Sequence, residues 1–231
     1  MTLIRSRPHG KGILGRNKPG PVLYLGDTQK SASRWSDISG RGNHGLVYGA
    51  GTPPPATPQA LGYLFDGVDD YVDCGNNASL DITNEVTIAG WVKPNITSVW
   101  WGAFGKGASD TNGYRIILQG STGKPYFDFK TTIGSKQLIS TTVLNFGSWN
   151  HIVAIYDPDG GANNVKIVLN GITTQDTHSG TILTTADPFK IGVQAAKYFN
   201  GSIDEVRIYN RALSTSEIKR YFERTRILFG V

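Results

Sequence analysis

The chain has 231 residues, 39% of them hydrophobic, with 29 glycines and 11 prolines, enough for one domain around one sizeable core. A single cysteine, Cys74, excludes an intrachain disulfide, and no stretch approaches the roughly 18 apolar residues of a membrane-spanning helix. The formal charge of +5 is confined to the first 20 residues: Arg5, Arg7, Lys11, Arg16 and Lys18 stand there without an acid, and the remaining 18 basic side chains balance 18 acids, so a basic nucleic-acid-binding body is not expected.

Residues 1–20 read as a basic extended arm. They contain no apolar run of signal-peptide length, so no Sec leader is expected. A Gly- and Arg-rich segment with little apolar content does not order itself alone, and Arg5, Arg7, Lys11, Arg16 and Lys18 are read as an assembly arm that docks on neighbours.

Residues 21–222 read as one β-rich domain. Pro21–Leu25 gives a first edge strand, Trp35–Gly45 a polar loop, and Gly49–Gln59, with its prolines, a surface loop. Strand signals then recur at Tyr63–Phe65, Tyr71–Cys74, Val86–Val92, Trp101–Gly105, Tyr114–Leu118, Tyr126–Phe129 and Gln137–Ser140. They continue at Trp149–Tyr156, Val165–Leu169, Ile172–Gln175, Lys190–Val193 and Ser202–Tyr209. Many short β-branched and aromatic runs between turn residues predict an all-β sandwich or barrel. Alternation places Val165, Ile167 and Leu169 on one face, and groups Asp204 with Val206 and Ile208 on another. Asn170–Gly171 marks a two-residue hairpin turn.

One helix is predicted. Ser214 and Glu217 form a capping box, and Ile218, Tyr221 and Phe222 follow as an apolar stripe; the helix is expected to close one end of the sandwich. The tail, residues 223–231, is apolar at Thr225–Val231 and offers an edge strand or a docking segment.

Motifs for chemistry are sparse. The sequence holds no G-x-S-x-G, no Walker loop, no dinucleotide fingerprint and no Cys/His zinc spacing. Of four histidines only His151 lies centrally in a strand, where a local hydrogen bond is the expected explanation. Cys74 reads as a small buried apolar group.

Several blocks together carry a family resemblance. Asp37–Gly45 (DISGRGNHG), Phe65–Val72 (FDGVDDYV), Val86–Pro94 (VTIAGWVKP), Gly147–Tyr156 (GSWNHIVAIY), Val165–Gly171 (VKIVLNG) and Gly201–Ile218 (GSIDEVRIYNRALSTSEI) occur in that order. The chain resembles the laminin-G-like domains of the concanavalin A-like lectin/glucanase superfamily. The resemblance implies a two-sheet antiparallel jelly-roll sandwich, but it leaves function open, because carbohydrate-binding modules, adhesion domains, particle structural proteins and glycosidases share the fold.

The resembling glucanases carry their acids on one strand in an E-x-D-x-(x)-E pattern. The chain has none: Asp69-Asp70 and Asp204-Glu205 are adjacent pairs that point to opposite faces. No catalytic residue, and no enzyme, is expected.

The resemblance would bring Asp37, Asn43, Asp66 and Asp204 towards one rim, a set of oxygen donors suited to Ca²⁺; Asp69 and Asp73 are alternates. Asp204 has a competing explanation, an ion pair with Arg41, Arg207 or Arg211. Glycan binding needs exposed aromatic platforms beside polar groups, for which Trp100, Trp101, Asn112, Tyr114 and Tyr126 are the candidates. Adjacent strand residues face opposite ways, so at least one of Trp100 and Trp101 belongs to the core.

Two functional readings follow. In the first, the chain is a non-catalytic structural or surface module of a larger particle, such as a phage-like virion decoration, capsid-associated or fibre protein. Its arm then locks onto copies of itself or other shell proteins. In the second, it is a free extracellular carbohydrate-binding lectin or adhesion module.

Overall fold

A computed structural model describes residues 18–49, 56–95, 100–107 and 111–231, without the side chains of residues 27–29 and 100. Strands β1 (Leu23–Ser31), β2 (Arg34–Asp37), β3 (Gly45–Tyr48), β4 (Thr57–Pro58), β5 (Tyr63–Asp66) and β6 (Tyr71–Asp73) come first. Next are β7 (Val86–Pro94), β8 (Trp100–Lys106), β9 (Tyr114–Gln119), β10 (Lys124–Thr131) and β11 (Gly134–Ile139). They are followed by β12 (Asn150–Tyr156), β13 (Val165–Leu169) and β14 (Ile172–Asp176). The chain ends with β15 (Phe189–Ile191), β16 (Val193–Gln194), β17 (Lys197–Tyr198), β18 (Asn200–Tyr209) and helix α1 (Thr215–Phe229).

Fourteen strands form one antiparallel path, β11-β10-β9-β8-β15-β6-β3-β2-β1-β18-β7-β12-β13-β14, with β5 and β4 branching from β18 and β16–β17 a separate hairpin. The path folds over on itself, so the expected sandwich is present as two halves of one hydrogen-bonded sheet. The front layer runs from β11 to β3 and the back layer from β18 to β14. Between them lies the core, to which Phe104, Ile116 and Phe127 come from the front and Ile88, Ile152 and Ile167 from the back. A register shift in β1 between Leu25 and Lys30 marks where the path turns from one layer to the other. Such a turn needs a strand paired on both sides: β1 joins β2 to β18 and is not the edge strand expected from Pro21–Leu25.

Alternation set the facing of most strands. Val165, Ile167 and Leu169 enter the core, while Val168 packs on the opposite side beneath the helix. Asn170 (φ 50°) and Gly171 (φ 84°) make the expected tight turn. In β18 the alternation breaks. Glu205 takes a left-handed φ of 53°, and the ladder to β7 shifts between Asp204 and Arg207. The extra residue puts Asp204 opposite Trp91, away from the core row of Ile203, Val206 and Ile208.

Helix α1 has the expected capping box, with the Ser214 hydroxyl accepting from Glu217 N and the Glu217 carboxylate accepting from Ser214 N. It does not close an end of the sandwich. It lies on the outer face of the back layer, where Ile218 and Tyr221 pack against Ala89, Val153, Ile155 and Val168. Residues 225–229 continue the helix, so the 222/223 division falls inside it and the tail forms no edge strand. Thr225 accepts from Trp91 Nε1 at 2.9 Å, and the Phe229 ring stacks on Trp91 at 4.4 Å. Gly230, at φ 69°, ends the helix in the left-handed conformation that favours glycine.

Candidate functional site

The register of the front layer sets its outer surface. Paired residues share a face, so one row crosses seven strands: Leu46, Asp73, Lys190, Gly105, Arg115, Asp128 and Gln137. Its centre is a buried ion pair, Arg115 Nε to Asp128 Oδ2 at 2.7 Å. Arg115 also donates to the carbonyls of Thr111 and Asn112, and such extra hydrogen bonds are what allow a desolvated pair to persist. A Cβ on Gly105 would collide with the Arg115 backbone and Cβ, so the row needs glycine there.

A second row is apolar and aromatic. Tyr48 opposes Tyr71 across β3 and β6, their rings 5.0 Å apart and nearly parallel. On the other side of the layer Ile117, Tyr126 and Ile139 continue it. Between the two groups the β16–β17 hairpin rises over β8, and a Cβ on Gly102 would run into Gln194. Its turn residues, Ala195 (φ 48°) and Ala196 (φ 56°), both hold left-handed backbone without being Gly or Asn, a strained arrangement for an L-residue.

The hairpin separates two hollows. The first, about 310 Å³, is lined by Tyr71, Tyr198, Lys190, Asp187 and Gln194 among others. Lys190 Nζ sits 4.9 Å from the centre of the Tyr71 ring. Partial burial, with Asp73, Tyr48 and Tyr198 close by, raises the Tyr71 phenol. The second, about 200 Å³, is lined by Trp101, Ile117, Tyr126, Gln194, Ala195 and Lys197. Aromatic faces, a cation, an acid and an amide at one surface can stack on the C–H face of a sugar and exchange hydrogen bonds with its hydroxyls.

Among the expected glycan residues, Trp101 and Tyr126 line the second hollow. The Trp101 ring itself is core, edge-on to Phe146 and Phe199, and its Nε1 has no hydrogen-bond partner among the described residues. Tyr114 is not at the site. It is buried and donates to Leu80 O at 2.8 Å, because Arg115 takes the outer position and turns its neighbour inward. Asn112 instead holds the loop at Thr184 O, 3.1 Å away. The Trp100 side chain lies outside the described residues, as do Arg5, Arg7, Lys11 and Arg16. Of the basic arm, Lys18 is described: its Nζ is 3.2 Å from Glu217 Oε2. The Tyr48, Tyr71 and Tyr198 cluster was not among the expected residues.

The expected calcium set does not assemble on one rim. Asp37 and Asn43 form a loop knot, in which Asp37 accepts from the backbone of Tyr24, Ser39 and Asn43 and from the Ser39 hydroxyl. Asp204 is buried beside Trp91 on the far layer and accepts from Glu205 N at 2.7 Å. Arg207, one of its expected partners, pairs with Glu205. The acid that does gain company is Asp66. Its carboxylate lies with those of Asp69 and Asp70 within 4.8 Å. Burial, with Asp66 and Asp69 nearby, pushes Asp70 up to about 6, although the amides of Asp66 and Ala56 donate to it.

His151 is fully buried, its ring 5.0 Å from Trp91 and 5.1 Å from Tyr221. The expected local hydrogen bond is missing: neither ring nitrogen has a partner among the described residues. Burial, and secondarily Arg207, pushes its pKa down to about 3.

The family described as the concanavalin A-like lectin/glucanases superfamily, in its Laminin_G_3 form, matches residues 66–219. The chain belongs to that family. Its laminin-G fold is similar to domain 4 of AbnA, an extracellular arabinanase from Geobacillus stearothermophilus, solved in complex with arabinotriose. There the TM-score is 0.68 at 21% identity, over 87% of this chain and 97% of that one. The binding domain of Paraclostridial Mosquitocidal Protein 1 gives a TM-score of 0.62 at 16% identity, covering 89% of this chain and 52% of that one. A Trypanosoma rangeli sialidase gives 0.64 at 16%, covering 91% of this chain and 33% of the enzyme. No curated protein sequence matches the chain. The laminin-G assignment thus rests on sequence over residues 66–219, and the solved structures add the fold.

Proposed function

We propose that this laminin-G domain is a non-catalytic glycan-binding module whose binding surface is the outer face of the front layer. The observation that carries the reading is the Tyr48–Tyr71 pair with Tyr198 and Lys190, beside two hollows that share Gln194. The two hollows lie either side of one hairpin, an arrangement that suits an oligosaccharide rather than a single sugar. An arabinotriose complex of a domain with this fold makes arabino-oligosaccharides the first ligands to try. Catalysis is not part of the reading: of the acids on this face, Asp128 is committed to Arg115, and no strand carries an E-x-D-x-(x)-E pattern.

The test is retention on immobilised arabinan and on a glycan array, with reducing-sugar release measured alongside. Wild-type protein is expected to bind at least one glycan without cleaving it. Tyr71→Ala and Tyr198→Ala should each weaken binding about tenfold, equivalent to about 1.4 kcal/mol. Unaltered binding by both variants would discard this face, and turnover lost with a single Asp or Glu would discard the non-catalytic assignment.

A second reading concerns assembly. Lys18 and Pro19 are held by Glu217 and Arg211 at the start of α1, so the basic segment leaves from a fixed point. We propose that this segment tethers the domain to copies of itself or to other proteins of a particle, such as a virion surface. Removal of residues 1–17 should abolish particle association and leave glycan binding intact. The calcium reading moves to Asp66, Asp69 and Asp70, whose carboxylate oxygens lie within 4.8 Å of one another. Bound Ca²⁺ would stabilise the fold, so EGTA is expected to lower the melting temperature of wild type but not of Asp66→Asn.

A further inference from the structure

We propose that the back layer carries a second binding site, a cavity between α1 and strands β12–β14 that takes a small amphipathic carboxylate. The cavity holds about 450 Å³, within the range of small-molecule sites, and lies on the layer opposite the glycan face.

Three observations fix the ligand class. The first is the apolar lining: Ile155 and Val168 come from the sheet, and Leu213, Ile218 and Phe222 from the helix and its lead-in. That surface selects a hydrocarbon or ring body.

The second is charge. Lys166, Lys219 and Glu223 all line the cavity. Glu223 is already paired with Arg226 at 2.7 Å, whereas neither lysine forms an ion pair among the described residues. The uncompensated charge is positive, and it selects an anion.

The third is His151. It reaches the cavity from β12, is fully buried, and has both ring nitrogens unpartnered among the described residues. A buried polar group without a partner is rare enough to require an explanation. A carboxylate in the cavity can accept the imidazole N–H and supply it. Because burial keeps the ring neutral, His151 acts as a dipolar donor and the lysines provide the charge.

The experiment uses the full chain and a short probe series: hexanoate, decanoate, 2-naphthoate and, as the uncharged control, decanol. Binding is read by calorimetry and by the shift in melting temperature. At least one carboxylate should bind saturably at one per chain and raise the melting temperature, with decanol at least tenfold weaker than decanoate. The double variant Lys166→Glu/Lys219→Glu should lose tenfold or more in affinity. His151→Phe should lose carboxylate binding while melting higher than wild type, which separates a lost ligand contact from a lost fold. Tyr71→Ala should bind the carboxylate normally, so the two sites fail separately. Absence of saturable binding by all three carboxylates, or undiminished binding by both the double variant and His151→Phe, would overturn the proposal.

Discussion

One buried polar group on each outer face of this sandwich shows two opposite arrangements. On the front face Arg115 and Asp128 are desolvated together, each a partner for the other. On the back face His151 is desolvated alone, under a helix, with aromatic rings as neighbours. The first arrangement holds a surface rigid for whatever docks on it. The second leaves free energy unspent that a ligand can recover.

The contrast is sharpest if one partner is removed from each. Asp128→Ala strands the Arg115 guanidinium in the protein interior and is expected to cost about 3–5 kcal/mol. Chemical denaturation gives the number, and replacing both residues by apolar side chains of similar volume should restore most of it. His151→Phe has the opposite sign: it deletes two unpartnered polar atoms among aromatic rings and should stabilise by about 1–3 kcal/mol. If both substitutions destabilise alike, the two faces do not differ in the way described.

The same histidine gives a pH signature. Its folded pKa, about 3, lies below the ordinary value of 6.5. Between these values the unfolded chain takes up a proton that the folded chain refuses. Its contribution is therefore fully present above about pH 6.5 and is lost as the pH falls towards 3, at up to about 1.4 kcal/mol per pH unit. Stability measured at pH 7 and pH 5 should diverge less in His151→Phe than in wild type. Asp70, raised to about 6, acts in the other direction over a narrower window, so the difference between variants is the informative quantity.

The smallest effect belongs to the hairpin between the hollows. Ala195→Asn with Ala196→Gly supplies residues suited to left-handed backbone and should stabilise by about 1 kcal/mol. Glycan affinity unchanged by that pair would place the strain outside recognition.

Much of the fold could be read in the sequence because a strand with one wet face writes alternation into the chain. Val165–Leu169, Asn170–Gly171 and the Ser214–Glu217 cap are all where the pattern put them. Part of the front face was legible in the same way. In YRIIL the single Arg115 marks the outer row, which sends Tyr114 to the core. Likewise the run HIVAIY is apolar on both faces, a sign that something covers the back layer; the covering turned out to be α1. Tyr48, Tyr71 and Tyr198 were beyond reach for another reason. They meet through strand pairings of distant segments, and one sequence does not state which strands pair. The bulge at Glu205 was invisible for a related reason: a non-glycine residue at positive φ leaves no compositional mark.

The attachment of Lys18 and Pro19 to the first turn of α1 has a mechanical consequence. Traction applied upstream of Lys18 arrives first at the Lys18–Glu217 and Pro19–Arg211 contacts. Glu217 is also the reciprocal half of the helix cap, so the load reaches the seam between helix and sheet before the Val22–Ile208 bond that opens the β1 ladder. A tug on the leading segment would thus loosen the lid of the back cavity while the front layer stays under little tension.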